Sequence, residues 1–422
     1  MNKKVVVIGG GIIGISSAIC LAERGAKVIV IEKNKARDIC SYGNAGWITP
    51  CFALPLAMPG MFFKSLKWMI DPNGPLYIKP SPSVDLMNWL IRFLKAMNTK
   101  QAMSATEALV KLSRKSLELY RNLAQDKTLS FDYQEKGLLM VAESEESHRA
   151  LLEELNYVSK FGVRGEVFTE SQVKEKEPQL KCNLKGGLFF PDEVHVDPNL
   201  LLSAMKKKAI HLGVTIMEDT TFLKVKKSQS KITKVVVKNN TTSNETELDA
   251  DCVVLATGSW SKSIAPSLNI TAPIFGGKGY SMRLPNSHPP IGQPIMVLDR
   301  KLAITPHENY LRIAGTLELV DQDFSITTRR ANNILKGAQF CLGLDPKTTL
   351  SDVEDLWAGL RPCSPDGVPM IGAVKNYDNL FVAIGHQMLG LQSGFGTGYL
   401  IADLIEGKKS DLDAAVFDPN RF

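Results

Sequence analysis

Cysteine is scarce in this 422-residue chain: Cys20, Cys40, Cys51, Cys182, Cys252, Cys341 and Cys363 are scattered, odd in number and nowhere spaced C-x-x-C. The pattern excludes a disulfide framework and a thiolate metal cluster, and predicts reduced thiols with no metal site. Basic runs interleaved with aromatics are also missing, and a net charge of +6 is mild for this length. Nucleic acid is therefore not expected as a partner, whereas an anionic membrane surface or an anionic substrate stays compatible with the charge. Internal repeats and low-complexity linkers are absent as well. One long uncharged run exists, Val5 to Ala22, and it follows Lys3 and Lys4 as a signal peptide or a membrane span would. Four glycines fall within it, it leads directly into Glu23 and Arg24, and no small-residue cleavage site precedes the glycines. The expectation is a chain without a targeting segment, working in the cytoplasm.

What is present suffices for two domains with sizeable cores, since 44% of the residues are hydrophobic and 22% charged. The run itself, "VVVIGGGIIGISSAICLAERGAKVIVIEK", reads as strand, glycine turn, helix and second strand. Gly9, Gly11 and Gly14 give G-x-G-x-x-G, and the second strand, Val28 to Ile31, leads into Glu32. This is the pattern of a Rossmann-type βαβ unit that cradles the pyrophosphate of a dinucleotide. One glycine makes the turn, the next admits the phosphates, the third packs helix on strand, and the acid receives ribose hydroxyls.

Further along, "SYGNAGWITP" (Ser41 to Pro50) is a small-residue loop, followed by a helix-rich stretch to about Gln125. Strands are expected at Gly137 to Val141, Gly187 to Phe190 and Gly213 to Glu218, a helix at Pro198 to His211, and a ribbon from Phe222 to Val237. Cys252 to Ala256 reads as a buried parallel strand ending in Thr257 and Gly258. Strands return between Ile274 and Leu317, before "GLRPCSPDGVPMIG", the strand "NLFVAIG" and a glycine-rich helix start, "HQMLGLQSGFGTGYLIADLI".

The order of the fingerprint, "NAGWITP", "ATGSW", "GKGYS", "GLRPCSPDGVPMIG" and "GHQMLG" resembles the D-amino acid oxidase and glycine oxidase superfamily of flavoproteins, most closely the bacterial D-amino acid dehydrogenases. The resemblance runs nearly end to end. It implies FAD as the dinucleotide and an α/β fold: a Rossmann-type, glutathione-reductase-like FAD-binding domain with an interleaved α+β substrate domain on a mixed or antiparallel sheet. Segments 1–49, 196–262 and 354–422 would form the first, 50–195 and 263–353 the second. By the same resemblance Gly9, Gly11, Ile13 and Gly14 cradle the pyrophosphate, and Glu32 and Lys33 sit at the ribose and adenine. Asn44, Ala45, Gly46, Trp47 and Ile48 pass along the middle of the flavin, Phe222 meets the adenine, and Thr257, Gly258 and Trp260 close the ATG loop. Arg361 and the segment Gly385, His386, Met388, Leu389, Gly390, Leu391 and Gln392 line the isoalloxazine, where backbone N–H groups at a helix start stabilise negative charge.

The implied reaction is hydride transfer from the Cα of a D-amino acid or cyclic amino acid to flavin, the imine then hydrolysing to a keto acid and ammonia. The protein supplies orientation, above all a cation for the carboxylate, for which arginine's planar fork is suited. In "KLAITPHENYLRIAGTLEL" (Lys301 to Leu319) Pro306 stands where many relatives carry that arginine. Arg361 is then the leading candidate, with Tyr280 and His386 as polar partners. Arg312 is on the same hairpin, although strand parity from Thr305 does not require it to face the pocket. His195 and His307 are weaker candidates. The altered anchor leaves glycine, sarcosine, proline and hydroxyproline types open as substrates, and a flavoprotein module of a modification enzyme as another role.

The stretch "VDLMNWLIRFLKAM" (Val84 to Met97) confines Asp85, Asn88, Arg92 and Lys95 to one narrow stripe of an apolar helix. Upstream, Phe62, Phe63, Leu66 and Trp68 adjoin Lys64 and Lys67. Two readings stand: a helix buried in the substrate domain, or a peripheral contact with the cytoplasmic face of a membrane. The second would give access to quinone or another electron-transfer component as acceptor.

Overall fold

Two sheets back to back with helices organise the chain. The computed structural model describes residues 1–34, 36–58, 76–78, 83–285 and 290–422. The β-branched runs Lys4–Ile8 and Lys27–Ile31 lie side by side and parallel in a six-stranded sheet with the helix Ile12–Glu23 between them in sequence. Cys252–Leu255 and Leu380–Ile384 extend it on one flank and Thr215–Met217 on the other, all parallel; Met370–Ala373 closes the edge antiparallel. These strands alternate with helices and are buried on both faces, which is why they read as continuous apolar runs. The fingerprint glycines are sterically required. Gly9 sits at φ +113°, where a side chain is strained, and a Cβ on Gly14 would come within 1.8 Å of the Gly9 carbonyl oxygen.

Helix Pro198–His211 forms as expected, its first turn capped by Asp197, which accepts from the N–H groups of Asn199 and Leu200. The predicted ribbon is a three-stranded sheet, Thr220–Ser228, Lys231–Asn239 and Glu245–Asp249.

The second large sheet is mixed and mostly antiparallel. Its strands run in the order Glu354–Cys363, Phe275–Pro285, Tyr310–Val320, Leu302–Pro306, Ile295–Val297, Leu138–Ala142, Gly186–Phe190 and Glu166–Phe168, with Leu76–Ile78 pairing parallel to Tyr310–Val320. One face carries Tyr280, Met282 and Ile313 against the helix Thr328–Leu342. The other carries Trp357, Gly359 and Arg361 opposite Ser281, Gly279 and Gly277, and Ala303 opposite Ala314. This second face looks toward the first sheet.

The helix predicted around Val84 runs from Val84 to Ala96. Its position divides the apolar surface outside that polar stripe into two faces. Leu86 and Trp89 are buried beside Phe275, Leu319 and Cys363, and the Trp89 indole donates to the Cys363 carbonyl at 3.0 Å. Val84, Met87, Ile91 and Leu94 are instead exposed, so apolar residues occupy two faces. Phe62, Phe63, Lys64, Leu66, Lys67 and Trp68 lie outside the described residues. Among the described residues no helix is long and apolar enough to cross a membrane, and no group of three or more His, Cys, Asp or Glu residues is placed to hold a metal. None of the seven cysteines forms a disulfide.

Candidate active site

A single elongated cavity of about 630 Å³ begins at Glu32, passes the fingerprint and the Asn44 loop, and ends against the second sheet. Its first wall is built by the βαβ unit. The buried Glu32 carboxylate accepts from the N–H of Gly10 at 2.6 Å and of Asn34 at 2.7 Å, so it fixes the turn while still facing the cavity. Gly9, Gly11, Ile13 and Lys33 line the same end, with Phe222 at the point where its strand shifts register. Thr257, Gly258 and Trp260, at the end of the Cys252 strand, complete it. The Ile12 N–H, at the start of the first helix, donates to Ser41 rather than to a cap on its own helix.

Asn44, Ala45 and Trp47 form the middle. The Trp47 indole donates to the Thr305 hydroxyl at 2.7 Å, and that hydroxyl donates to the Ala45 carbonyl at 2.8 Å, pinning the loop to the second sheet. Thr49 bonds Gln392 at 3.1 Å, joining the loop to the start of the helix Gly390–Glu406. That start has no side-chain cap, and Met388, Leu389, Gly390, Leu391 and Gln392 all border the cavity. Uncapped first-turn N–H groups facing a cavity suit negative charge.

Four of the expected cofactor-binding residues do not line the cavity. Gly14 packs under the fingerprint turn, and Gly46, at φ +78°, is pressed against the Val196 carbonyl. Ile48 is fully buried in the core, and Gly385, at φ +79°, serves the turn before His386.

At the far end Arg361 enters the lining from the strand Glu354–Cys363. Its Nη1 donates to the Thr316 carbonyl at 3.1 Å and reaches the Gly277 carbonyl at 3.5 Å. Among the described residues it has no carboxylate partner, and burial pulls its pKa below the ordinary arginine value. The guanidinium lies flat on Gly279, where a Cβ would fall 2.0 Å from Nη1. Thr316 sits at φ +62°, rare for a β-branched residue. Gln387, at φ +51°, also lines this end. Gln387 lies within the "GHQMLG" motif, whereas Thr316 carries no motif signal and is placed there by its backbone conformation.

The other anchor candidates are corrected. Tyr280 borders the cavity, but its hydroxyl is engaged elsewhere: it donates to Glu318 at 2.6 Å, and Glu318 pairs with Arg330 at 2.8 Å. His386 lines the cavity, but its Nε2 pairs with the Thr397 hydroxyl at 3.0 Å and burial pulls the ring down to about 3, so it is neutral. Arg312 is the cross-strand partner of Thr305 and shares its face, yet it is fully buried and does not border the cavity. Its Nη2 donates to the Tyr310 hydroxyl at 3.4 Å, and Tyr310 in turn donates to Asp197. His307, bonded to Asp132 at 2.7 Å, and His195, held near 3 chiefly by burial, belong to this same buried polar cluster.

The glycine turn, the buried acid and the uncapped helix starts along one cavity fit FAD, which Glu32 would hold at one end and the Gly390 helix start at the other. The family model for FAD dependent oxidoreductases matches residues 4–404. A D-amino acid dehydrogenase of Vibrio atlanticus (strain LGP32) is 30% identical over 99% of this chain and 100% of its own length. The fold is shared with a glycine oxidase of Bacillus cereus ATCC 14579, at TM-score 0.75 and 24% identity over 97% of this chain and 96% of that one. It is also shared with an L-proline dehydrogenase from P. horikoshii, at TM-score 0.74 and 20% identity over 100% and 98%. The chain belongs to the family of FAD-dependent oxidoreductases.

Proposed function

We propose that this protein is a dehydrogenase of D-amino acids, converting the amine to an imine that water hydrolyses to a keto acid and ammonia. FAD, when bound, supplies the acceptor for the hydride of the Cα–H bond. The observation that carries the reading is Arg361: a cation enclosed at the ring end of the cavity, held by carbonyl oxygens and lacking a carboxylate. A buried charge without a counter-ion is costly, and an amino acid's carboxylate supplies one through a bidentate contact. So held, the substrate keeps Cα at one place, and the apolar walls Met296, Ala303 and Ala314 keep water from it. The N–H groups of the Gly390 helix start stabilise charge that develops on the ring side.

The relation to the Vibrio dehydrogenase supports the D-series and an acceptor other than oxygen, a quinone or another electron-transfer component. The exposed Val84, Met87, Ile91 and Leu94 support a peripheral approach to a membrane for that exchange. Segments 1–49, 196–262 and 354–422 would serve the cofactor, and 50–195 and 263–353 the substrate. The test is anaerobic bleaching of the purified yellow protein by a panel of D- and L-amino acids, sarcosine and the proline enantiomers. Bleaching by D-amino acids, with reoxidation faster by a soluble quinone than by oxygen, is expected. A flavin spectrum indifferent to the whole panel overturns the reading, and bleaching by the cyclic or N-methyl amines alone moves the substrate class to them.

A further inference from the structure

Besides Arg361, and Glu32 and Lys33 at the fingerprint end, two charged residues line the cavity, Lys301 and Glu154, and the reaction as drawn uses neither. Lys301 ends the turn between the strands Ile295–Val297 and Leu302–Pro306, at φ +48°. Glu154 comes from the helix Glu145–Val158. Among the described residues neither side chain has a hydrogen-bond or ion-pair partner in contact; each is the nearest opposite charge acting on the other, joined for Lys301 by Asp299. Asp299 is itself occupied by Ser144, Ser147 and the Glu143 N–H. Burial pushes the Glu154 carboxyl up to about 7 and pulls the Lys301 ammonium down.

Lys301 lies close to the anchor, and Glu154 lines the same cavity. The Lys301 carbonyl oxygen is 2.9 Å from where a Cβ on Gly315 would stand, and the next residue, Thr316, accepts from Arg361. The Lys301 main chain and the Arg361 guanidinium therefore meet adjacent residues of a single strand, and both side chains line the cavity. A molecule whose carboxylate rests on Arg361 has its side chain free to extend over Ala303 and Ala314 toward Lys301 and Glu154.

Resting on the function proposed above, we propose that Lys301 and Glu154 form a specificity-determining pair that receives the substrate side chain and favours a neutral one carrying both donor and acceptor, a carboxamide above all. A carboxamide N–H donates to Glu154 while its oxygen accepts from Lys301, and the enclosed charges still sum to zero. A charged side chain pairs with one member and leaves the other unpaired in a dry site, which is the costly case. An aliphatic one displaces water from both without replacing its hydrogen bonds.

The test compares flavin reduction by a D-series of matched length, with carboxamide, carboxylate, ammonium and methyl ends, in the parent, Glu154→Gln and Lys301→Met holoenzymes. Dissociation constants of the matching α-methyl analogues, which cannot lose a Cα hydrogen, are read in parallel from perturbation of the flavin spectrum. In the parent the carboxamide exceeds each of the others by about tenfold or more in kcat/KM. Glu154→Gln shifts the preference at least tenfold toward the carboxylate, Lys301→Met shifts it at least tenfold toward the ammonium, and the dissociation constants move with them. A merely structural role would not give opposite shifts. Unchanged ratios in both variants overturn the pair while the oxidation itself stands. No reduction and no spectral perturbation by any member of the series overturns both.

Discussion

At the scale of single residues, Arg361 makes the sharpest claim. Removing its bidentate contact costs about 2 to 4 kcal/mol, so Arg361→Ala should lower the second-order rate of flavin reduction roughly 30-fold to 1000-fold. FAD should stay bound. Arg361→Lys restores only part of the rate, because an ammonium lacks the fork. Gly279→Ala should mimic the loss without touching the charge, since the added methyl takes the place of Nη1. Stopped-flow bleaching under anaerobic conditions checks all three, and rates within about threefold of the parent would move the anchor elsewhere. Arg361 was legible because "GLRP" sits in a recognisable order of motifs. Tyr280 was legible in position, since it borders the cavity, but not in its hydrogen bond to Glu318, whose strand pairing no local pattern encodes. His386 was legible in position but not in protonation, because its burial comes from distant segments.

Among the elements, the first βαβ unit was read almost residue for residue, since strand period, turn chemistry and helix length are local. Gly14→Ala places a methyl against the Gly9 carbonyl, so the purified variant should lose most of its FAD on gel filtration. Glu32→Ala should weaken retention by about 1.5 to 3 kcal/mol, as a charged acceptor of two N–H bonds disappears. Occupancy equal to the parent in both variants would remove the fingerprint from the cofactor site. The Val84 helix was legible as a helix and not in its orientation, because its partners Phe275, Leu319 and Cys363 come from three other parts of the chain. Trp89→Ala should cost about 3 to 5 kcal/mol of stability through the cavity it leaves. Met87→Glu with Ile91→Glu, on the exposed face, should leave the melting temperature within a degree or two and abolish any sedimentation with anionic liposomes. If neither parent nor variant sediments, the membrane approach is wrong.

The whole molecule was legible in class and in the order of its motifs, and illegible in its larger sheet. That sheet pairs Leu138–Ala142 with Ile295–Val297 in parallel, Met140 facing Met296 across the intervening helices and strands, a contact that no local pattern encodes. Where such segments meet, Glu193 is buried: one carboxylate oxygen accepts from the Cys51 N–H at 3.0 Å and the other has no partner. Burial pushes it up to about 8, so the folded protein holds a proton there that the unfolded chain releases near 4.5. Between those values the folded state binds more protons than the unfolded one. The stability contributed by this group is therefore fully present below about 4.5 and is lost as pH rises toward about 8, at about 1.4 kcal/mol per unit. Glu193→Gln should match the parent near pH 4.5 and exceed it increasingly up to pH 8 in thermal unfolding; parallel curves would show that Glu193 does not carry the proton.

The guanidinium of Arg361 is oriented by main-chain carbonyl groups of two neighbouring strands and by no acid. Dissolved ions screen charge against charge over a Debye length of about 10 Å at 0.1 M, and have little purchase on a dipole fixed in a sheet. Raising the salt from about 0.05 to 0.5 M should therefore leave the geometry of the waiting cation as it was. The Michaelis constant should then drift by no more than about twofold over that range. A steep rise would mean that solvent ions reach the anchor before the substrate does.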